Sequence, residues 1–150
     1  MTSAKDIMTE NPVTVNPETE IGQAAKLLIE KGINGLPVID KSGKLVGIIC
    51  QSDLIAQQKK IQIPSVFTLL DGLIPLGSMS RFEKEVQKIS AATVAHAMIP
   101  DPVSVGQDAS VEEIAGLMVD RNLHTLPVIE GDKVIGVIGK EDLLRTLVSV

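Results

Sequence analysis

Apolar residues recur along this chain on two alternating periods. Between Ile21 and Leu28 the spacing is helical: Ile21, Ala24, Ala25 and Leu28 share one face, and Gly32 follows the last of them. Val111, Ile114, Ala115 and Met118 repeat that face later in the chain, with Asn122 where Gly32 stood. Glycine and asparagine take the left-handed conformation past a helix end most readily, so both positions predict a stop. Ser110 with Glu113 predicts a capping box at the second helix start, and Glu20 with Gln23, or Thr19, a weaker cap at the first. Around these helices the pattern changes to short β-branched and aliphatic runs. Val13 to Val15 follows Asn11-Pro12, and Val103 to Val105 follows Asp101-Pro102; a proline suits the start of a strand. Leu36 to Asp40 and Lys44 to Ile49 flank Lys41-Ser42-Gly43, while Leu126 to Glu130 and Lys133 to Ile138 flank Gly131-Asp132, which predicts two hairpins. A closing helix is expected from Ser52 and again from about Lys140.

These two sets are one pattern written twice. Met8, Pro12, Val13 and Val15 return 90 positions later as Met98, Pro102, Val103 and Val105, and Leu36-Pro37-Val38-Ile39 returns unchanged as Leu126-Pro127-Val128-Ile129. One residue is lost in the second hairpin turn, after which Gly47, Ile49, Asp53 and Leu54 return as Gly136, Ile138, Asp142 and Leu143, now 89 positions on. A fixed period broken only in a turn marks a duplicated unit, here of about 55 residues. Each copy reads strand, helix, strand, strand, helix, with a small sheet that has one apolar face and too little core to stand alone. Two copies packed sheet to sheet bury both faces. The predicted fold is therefore α/β (α+β): two pseudo-symmetric β-α-β-β-α repeats, residues 1–56 and 94–150, with a helical linker or insert over 57–93. In that insert Pro64 and Gly72-Leu73-Ile74-Pro75 are breaks, and Phe82, Val86 and Ile89 fall at helical spacing, so it reads helix, turn, helix with both phenylalanines inside. It serves either as a linker packed on the pair or as a dimer or partner surface.

Composition narrows the function. The 150 residues carry 14 Lys+Arg against 19 Asp+Glu, for a formal charge of -5, with no Trp or Tyr and 44% apolar residues. That apolar fraction suits a packed core, whereas a nucleic-acid surface needs both cations and stacking rings. A single cysteine, Cys50, forms no internal disulfide, and a zinc framework of Cys and His is absent, so a reducing cytoplasm is expected. Neither a signal peptide nor a run of about twenty apolar residues that would span a bilayer is visible. His96 and His124 are the only histidines and lie in no recognisable catalytic motif, and phosphate-binding glycine loops are missing, so catalysis is not expected.

Two copies of Asp/His-x-Met, Pro-Val-Thr/Ser-Val, Leu-Pro-Val-Ile-Asp/Glu and Gly-x-Ile-x-x-x-Asp-Leu resemble the tandem CBS domain, or Bateman module, over nearly all of the chain outside the insert. The resemblance implies a regulatory module with clefts between the repeats for AMP, ADP, ATP or S-adenosylmethionine, and association of two modules into a flat dimeric disk. Its ribose-binding carboxylates fall on Asp53 and Asp142, each at the start of a closing helix whose amides point towards phosphate. The alternative is that each complements its helix dipole. Family hydroxyls three residues earlier are replaced by Cys50 and Gly139, with Ser52 adjacent to the first site and a glycine that lets phosphate approach the backbone in the second. Cys50 otherwise reads as a small buried residue.

Adenine positions in the family map to Val13, Thr14, Ile33, Asn34 and Gly35, and to Val103, Ser104, Leu123, His124 and Thr125. Asn34 or His124 offers a polar edge, or is an exposed loop residue. Phosphate-side cations are Lys31, Arg121, Lys140 and Arg145, each of which also has a reading as a solvated surface charge; those in the second half favour the Asp142 cleft. With no Phe, Tyr or Trp in either repeat, adenine would be held by aliphatic side chains and backbone. Two functions stay open: an adenine-ligand sensor that signals to an effector protein in trans, and a ligand-free scaffold for dimerisation and partner contact.

Overall fold

The computed structural model describes residues 2–59 and 92–148. The helix, turn, helix expected for the insert, with both phenylalanines, lies outside the described residues. In chain order the elements are α1 (Ala4–Ile7), β1 (Thr9–Glu10), α2 (Ile21–Lys31), β2 (Gly35–Ile39), β3 (Leu45–Cys50) and α3 (Gln51–Lys59), then α4 (Val94–Ala97), β4 (Ile99–Pro100), β5 (Val105–Gly106), α5 (Val111–Asp120), β6 (Thr125–Glu130), β7 (Lys133–Gly139) and α6 (Lys140–Val148). Among the described residues no helix is long and apolar enough to cross a membrane.

The amphipathic faces fall where the period placed them. Ile21, Ala24 and Leu28 of α2 and Ile114 and Met118 of α5 are buried. Gly32 ends α2 at φ 61°, and Asn122 follows α5 at φ 53°, so each stop position adopts the left-handed conformation expected of it. The helix starts differ from each other. Ser110 accepts the Glu113 N–H at 3.1 Å, one half of the expected box. Glu20 is the N-cap of α2 but makes no side-chain cap, and neither does Thr19, whose hydroxyl is engaged with Asn16. A distant segment supplies what the side chain does not: the Ile21 N–H donates to the Ala92 carbonyl at 2.8 Å.

Both hairpins form. β2 pairs antiparallel with β3, Leu36 facing Ile49, and β6 pairs with β7, Leu126 facing Ile138. Asp40 closes the first turn by accepting the Ser42 and Lys44 N–H groups at 2.9 and 3.0 Å. The proline-led runs add parallel partners: Val15 bridges Val38, and β5 lies beside β6.

Sheet order is β2-β3-β4 in one lobe and β1-β7-β6-β5 in the other, which means that the outer strands are exchanged. Thr9 and Glu10 of the first repeat pair with Val137 and Gly136 of the second, and Ile99 and Pro100 of the second pair with Ile48 and Gly47 of the first. The exchange reaches both cores. Val94 is buried with Leu28, Leu36, Val38 and Ile49, while Ala4 is buried with Ile114, Leu126, Val128 and Ile138. Met98 lies over Gly47 and Met8 over Gly136, so closely that a Cβ on either glycine would collide with the thioether. Each repeat thus completes the other's sheet. The repeats also meet through β2 against β6 and β7.

Candidate functional site

Between the repeats lies a cleft of about 320 Å³, at the small end of the roughly 300–1,000 Å³ typical of ligand pockets. Its wall is composite. The first repeat supplies Asn11, Pro12 and Val13 beyond the exchanged β1, and the run from Lys31 to Gly35 where α2 turns into β2. Facing them from the second repeat are Thr125 and Gly139 on adjacent strands and Lys140, Asp142 and Arg145 in the first turns of α6.

Asp142 is anchored twice. Its Oδ2 accepts the Gly139 N–H at 2.7 Å, satisfying an amide that the start of α6 would otherwise leave unpaired. Its Oδ1 accepts from Arg145 Nη1 at 2.9 Å. The carboxylate is recessed, 12% exposed against 68% for the arginine, which also lies 3.7 Å from Glu141. Lys31, Lys140 and Arg145 bring three cationic side chains to the cleft against the two carboxylates Glu141 and Asp142. The chain is acidic overall, yet this mouth is locally cationic. Thr125, buried but lining the cleft, stands opposite Gly139 in the β6–β7 register, with its hydroxyl against Gly35 of the other repeat.

The CBS domain model matches residues 4–60 and 94–149. The chain belongs to the CBS domain family. CBSX2, a chloroplastic CBS domain-containing protein of Arabidopsis thaliana, is 29% identical over 97% of this chain, which spans 63% of that protein's length. A crystal structure of CBSX2 in complex with AMP superposes with a TM-score of 0.75 at 28% identity, covering 99% of this chain and 97% of that one. The CBS domain pair of protein MJ0100, in complex with 5′-methylthioadenosine and S-adenosylmethionine, gives 0.70 at 27% identity, covering 98% and 96%.

As a CBS pair the molecule has a second, pseudo-symmetric side, centred on Asp53. Asp53 Oδ2 accepts the Cys50 N–H at 2.8 Å, repeating the Asp142 anchor. Ala56 occupies the position of Arg145, so no arginine answers this carboxylate from its own helix. Burial raises the Asp53 carboxyl above its ordinary value, against the lowering effect of the Cys50 amide. The Cys50 thiol is itself pushed up to about 11 by burial and by Asp53. It is a half-buried group whose sulfur lies against Gly35. A Cβ at Gly35 would come within 2.9 Å of Thr125 Oγ1 and 3.1 Å of Cys50 Sγ, which is why the contact between repeats needs a glycine there.

Val103, Leu123, His124 and Arg121 hold the repeat positions of Val13, Ile33, Asn34 and Lys31; with Cys50, Ser52 and Asp53 they are absent from the Asp142 cleft wall. Thr14 and Ser104 are likewise absent from that wall. Successive side chains of an extended run point in opposite directions, and these two open onto shallow hollows beside Asn16 and Asp101. The Asn34 and His124 carbonyls accept the Gln51 and Lys140 N–H groups at 3.0 and 3.3 Å, tying each strand start to its closing helix and leaving both side chains exposed. Thr9, Asn11, Pro12 and Val137 also line the cleft but were not singled out from the sequence. A signal existed: Asn11 and Asp101 both precede proline, and both adopt positive φ, 50° and 49°. Among the described residues there is no group of three or more His, Cys, Asp or Glu placed to hold a metal ion.

Proposed function

We propose that this CBS pair is a regulatory module that binds one adenine-containing ligand per chain, of the AMP, ADP, ATP or S-adenosylmethionine class, in the Asp142 cleft. One observation carries the reading: a recessed carboxylate at a helix start faces, across a composite cleft, the segments that correspond to the family's adenine positions, with three cations at the mouth. Asp142 takes the ribose hydroxyls, Val13 and Ile33 flank the base, the Gly35 and Asn34 backbone reads its edge, and Lys31, Lys140 and Arg145 take the anionic end. The AMP bound to CBSX2 and the S-adenosylmethionine bound to the MJ0100 pair support the ligand class. Both repeats line the cleft, so a ligand that fits one relative placement better than another shifts that placement, and a partner in trans reads the change. The protein performs no catalysis in this account and works in a reducing cytoplasm, where Cys50 stays a thiol.

Two such chains associate through their helical faces. Val119, Leu144 and Leu147, on α5 and α6, are at least 60% exposed, and Ile29 and Ile55 on α2 and α3 are exposed as well, a larger apolar display than isolated surface residues explain.

Melting the protein with AMP, ADP, ATP, NAD and S-adenosylmethionine tests the reading. A ligand at a hundred times its dissociation constant stabilises the native state by about 2.7 kcal/mol. Absence of any shift would leave the second reading, a ligand-free dimerisation scaffold. That reading is favoured by the apolar helical face and by Cys50 and Gly139 standing where the family has hydroxyls.

A further inference from the structure

Thr125 is the one buried polar or charged residue among the described residues, 6% exposed. It starts β6, ahead of the enclosed Leu126 and Val128, where a β-branched residue packs well. Valine would meet that need without a hydroxyl, and a hydroxyl taken from water without a partner costs stability. Among the described residues the Thr125 hydroxyl has no hydrogen-bond partner. Every side-chain nitrogen or oxygen sealed from solvent there does have one, so this hydroxyl keeps an opening, and Thr125 lines the Asp142 cleft. Packing within the chain leaves it unused.

Its surroundings are bare backbone. Gly35, reaching in from the first repeat, is so close that a Cβ there would come within 2.9 Å of Thr125 Oγ1. Opposite in the β6–β7 register stands Gly139, where a Cβ would meet no described atom closer than Asp142 Oδ2 at 3.8 Å. Glycine at both places leaves a floor that a flat ring can approach edge-on. Val13 and Ile33 border the same cleft, so apolar groups flank the faces of such a ring and polar groups meet its edge.

We propose that Thr125 is a specificity-determining residue whose hydroxyl hydrogen-bonds the edge of the purine base held in the Asp142 cleft, beside the Gly35 backbone, so that one base edge is read by both repeats at once. The proposal rests on the adenine reading above and adds to it a side chain that reads the base from the second repeat. Gly35 holds the repeat position of Thr125, so the pair carries a single hydroxyl at this place. A base bonded to both ties the repeats together where they touch.

The test is calorimetric titration of the wild type, Thr125→Val and Thr125→Ser with AMP, 2′-deoxy-AMP and 3′-deoxy-AMP, beside thermal melting of each protein without ligand. Thr125→Val loses one neutral hydrogen bond to the ligand and should weaken AMP about five- to tenfold, while melting at or above the wild-type temperature. The same factor should appear with both deoxynucleotides, since the hydroxyl meets the base. Thr125→Ser keeps the hydroxyl and should bind AMP within about threefold of the wild type. If Thr125→Val binds AMP as tightly as the wild type, the role of Thr125 is overturned while the adenine reading stands. A melting temperature that falls together with affinity in both variants does the same, because it marks a structural threonine. So does a loss that disappears with either deoxynucleotide, which assigns the hydroxyl to the ribose. Failure of the wild type to bind AMP overturns the adenine reading itself, and this contact with it.

Discussion

The two sides of this CBS pair start from the same backbone and end with different chemistry. Both carry an aspartate whose carboxylate closes the start of a helix by accepting the amide three residues earlier, at 2.8 Å for Asp53 and 2.7 Å for Asp142. Around Asp142 the remaining groups are polar and cationic: Thr125 beside Gly139, and Lys31, Lys140 and Arg145 at the mouth. At the matching places around Asp53 stand Gly35 beside Cys50, then Arg121, Gln51 and Ala56. The Asp142 side also carries Glu141 where the other has Ser52, and its recessed carboxylate is engaged by an arginine; the other side has a carboxyl raised by burial and a thiol raised with it. Duplication preserves what the backbone needs at both aspartates. Ligand chemistry is free to survive at one of them.

Alanine replacement of the two aspartates gives the largest separation. Each variant loses a helix-start acceptor and should lose about 1 kcal/mol of stability. For AMP the two should part: Asp142→Ala loses two hydrogen bonds to a charged acceptor, at about 1.5 kcal/mol each, and so roughly 100-fold or more in affinity by calorimetry, while Asp53→Ala stays within about threefold. Equal losses would make the two sides functionally equivalent.

The glycines under the exchanged arms give the next largest effect. Gly136→Ala collides with Met8 and Gly47→Ala with Met98, and each should cost about 1–2 kcal/mol in denaturant unfolding because the arm must shift. Only the Met8 arm runs on into Thr9, Asn11 and Pro12 of the Asp142 cleft. Gly136→Ala should therefore also weaken AMP binding, and Gly47→Ala should not. An equal effect of the two on binding would separate the cleft from the arm.

Asp53 supplies the smallest and the sharpest effect in sign. Its carboxyl value in the fold lies above the unfolded 3.8, so the folded state holds the proton longer. Its contribution to stability is greatest below 3.8, falls as the pH rises from there through the raised folded value, and is level beyond it. Asp53→Asn keeps an oxygen acceptor for the Cys50 amide and removes the titration. Stability followed by urea unfolding across the acid range should decline less with rising pH in Asp53→Asn than in the wild type; parallel curves would show that the burial of Asp53 has no energetic consequence.

Much of this molecule is legible before folding because its signals are local. Apolar spacing placed α2 and α5, Gly32 and Asn122 marked their ends, and a single lost residue in a turn aligned Asp53 with Asp142. What was not legible depends on contacts between distant segments. Glu20 begins a helix without a side-chain cap because Ala92, far along the chain, supplies the carbonyl. Met8 and Gly136 each look unremarkable until the arm exchange stacks one on the other. The cleft shows the same limit: Val13 and Ile33 belong with Asp142 rather than with Asp53 of their own repeat, and no period within a repeat says so. Thr14 lines a separate hollow beside Asn16, since an extended segment offers only alternate side chains to one side. The pairing of Arg145 with Asp142, three residues apart on one helix, was within reach of the sequence.

The central claim is that one of two similar aspartates has a ligand site, and the stoichiometry of AMP binding measures it directly. Calorimetric titration of the wild type and of Asp53→Ala should each give one AMP per chain, and Asp142→Ala none at the same concentrations. Two sites per chain in the wild type, or one site that persists in Asp142→Ala and disappears in Asp53→Ala, would contradict the account.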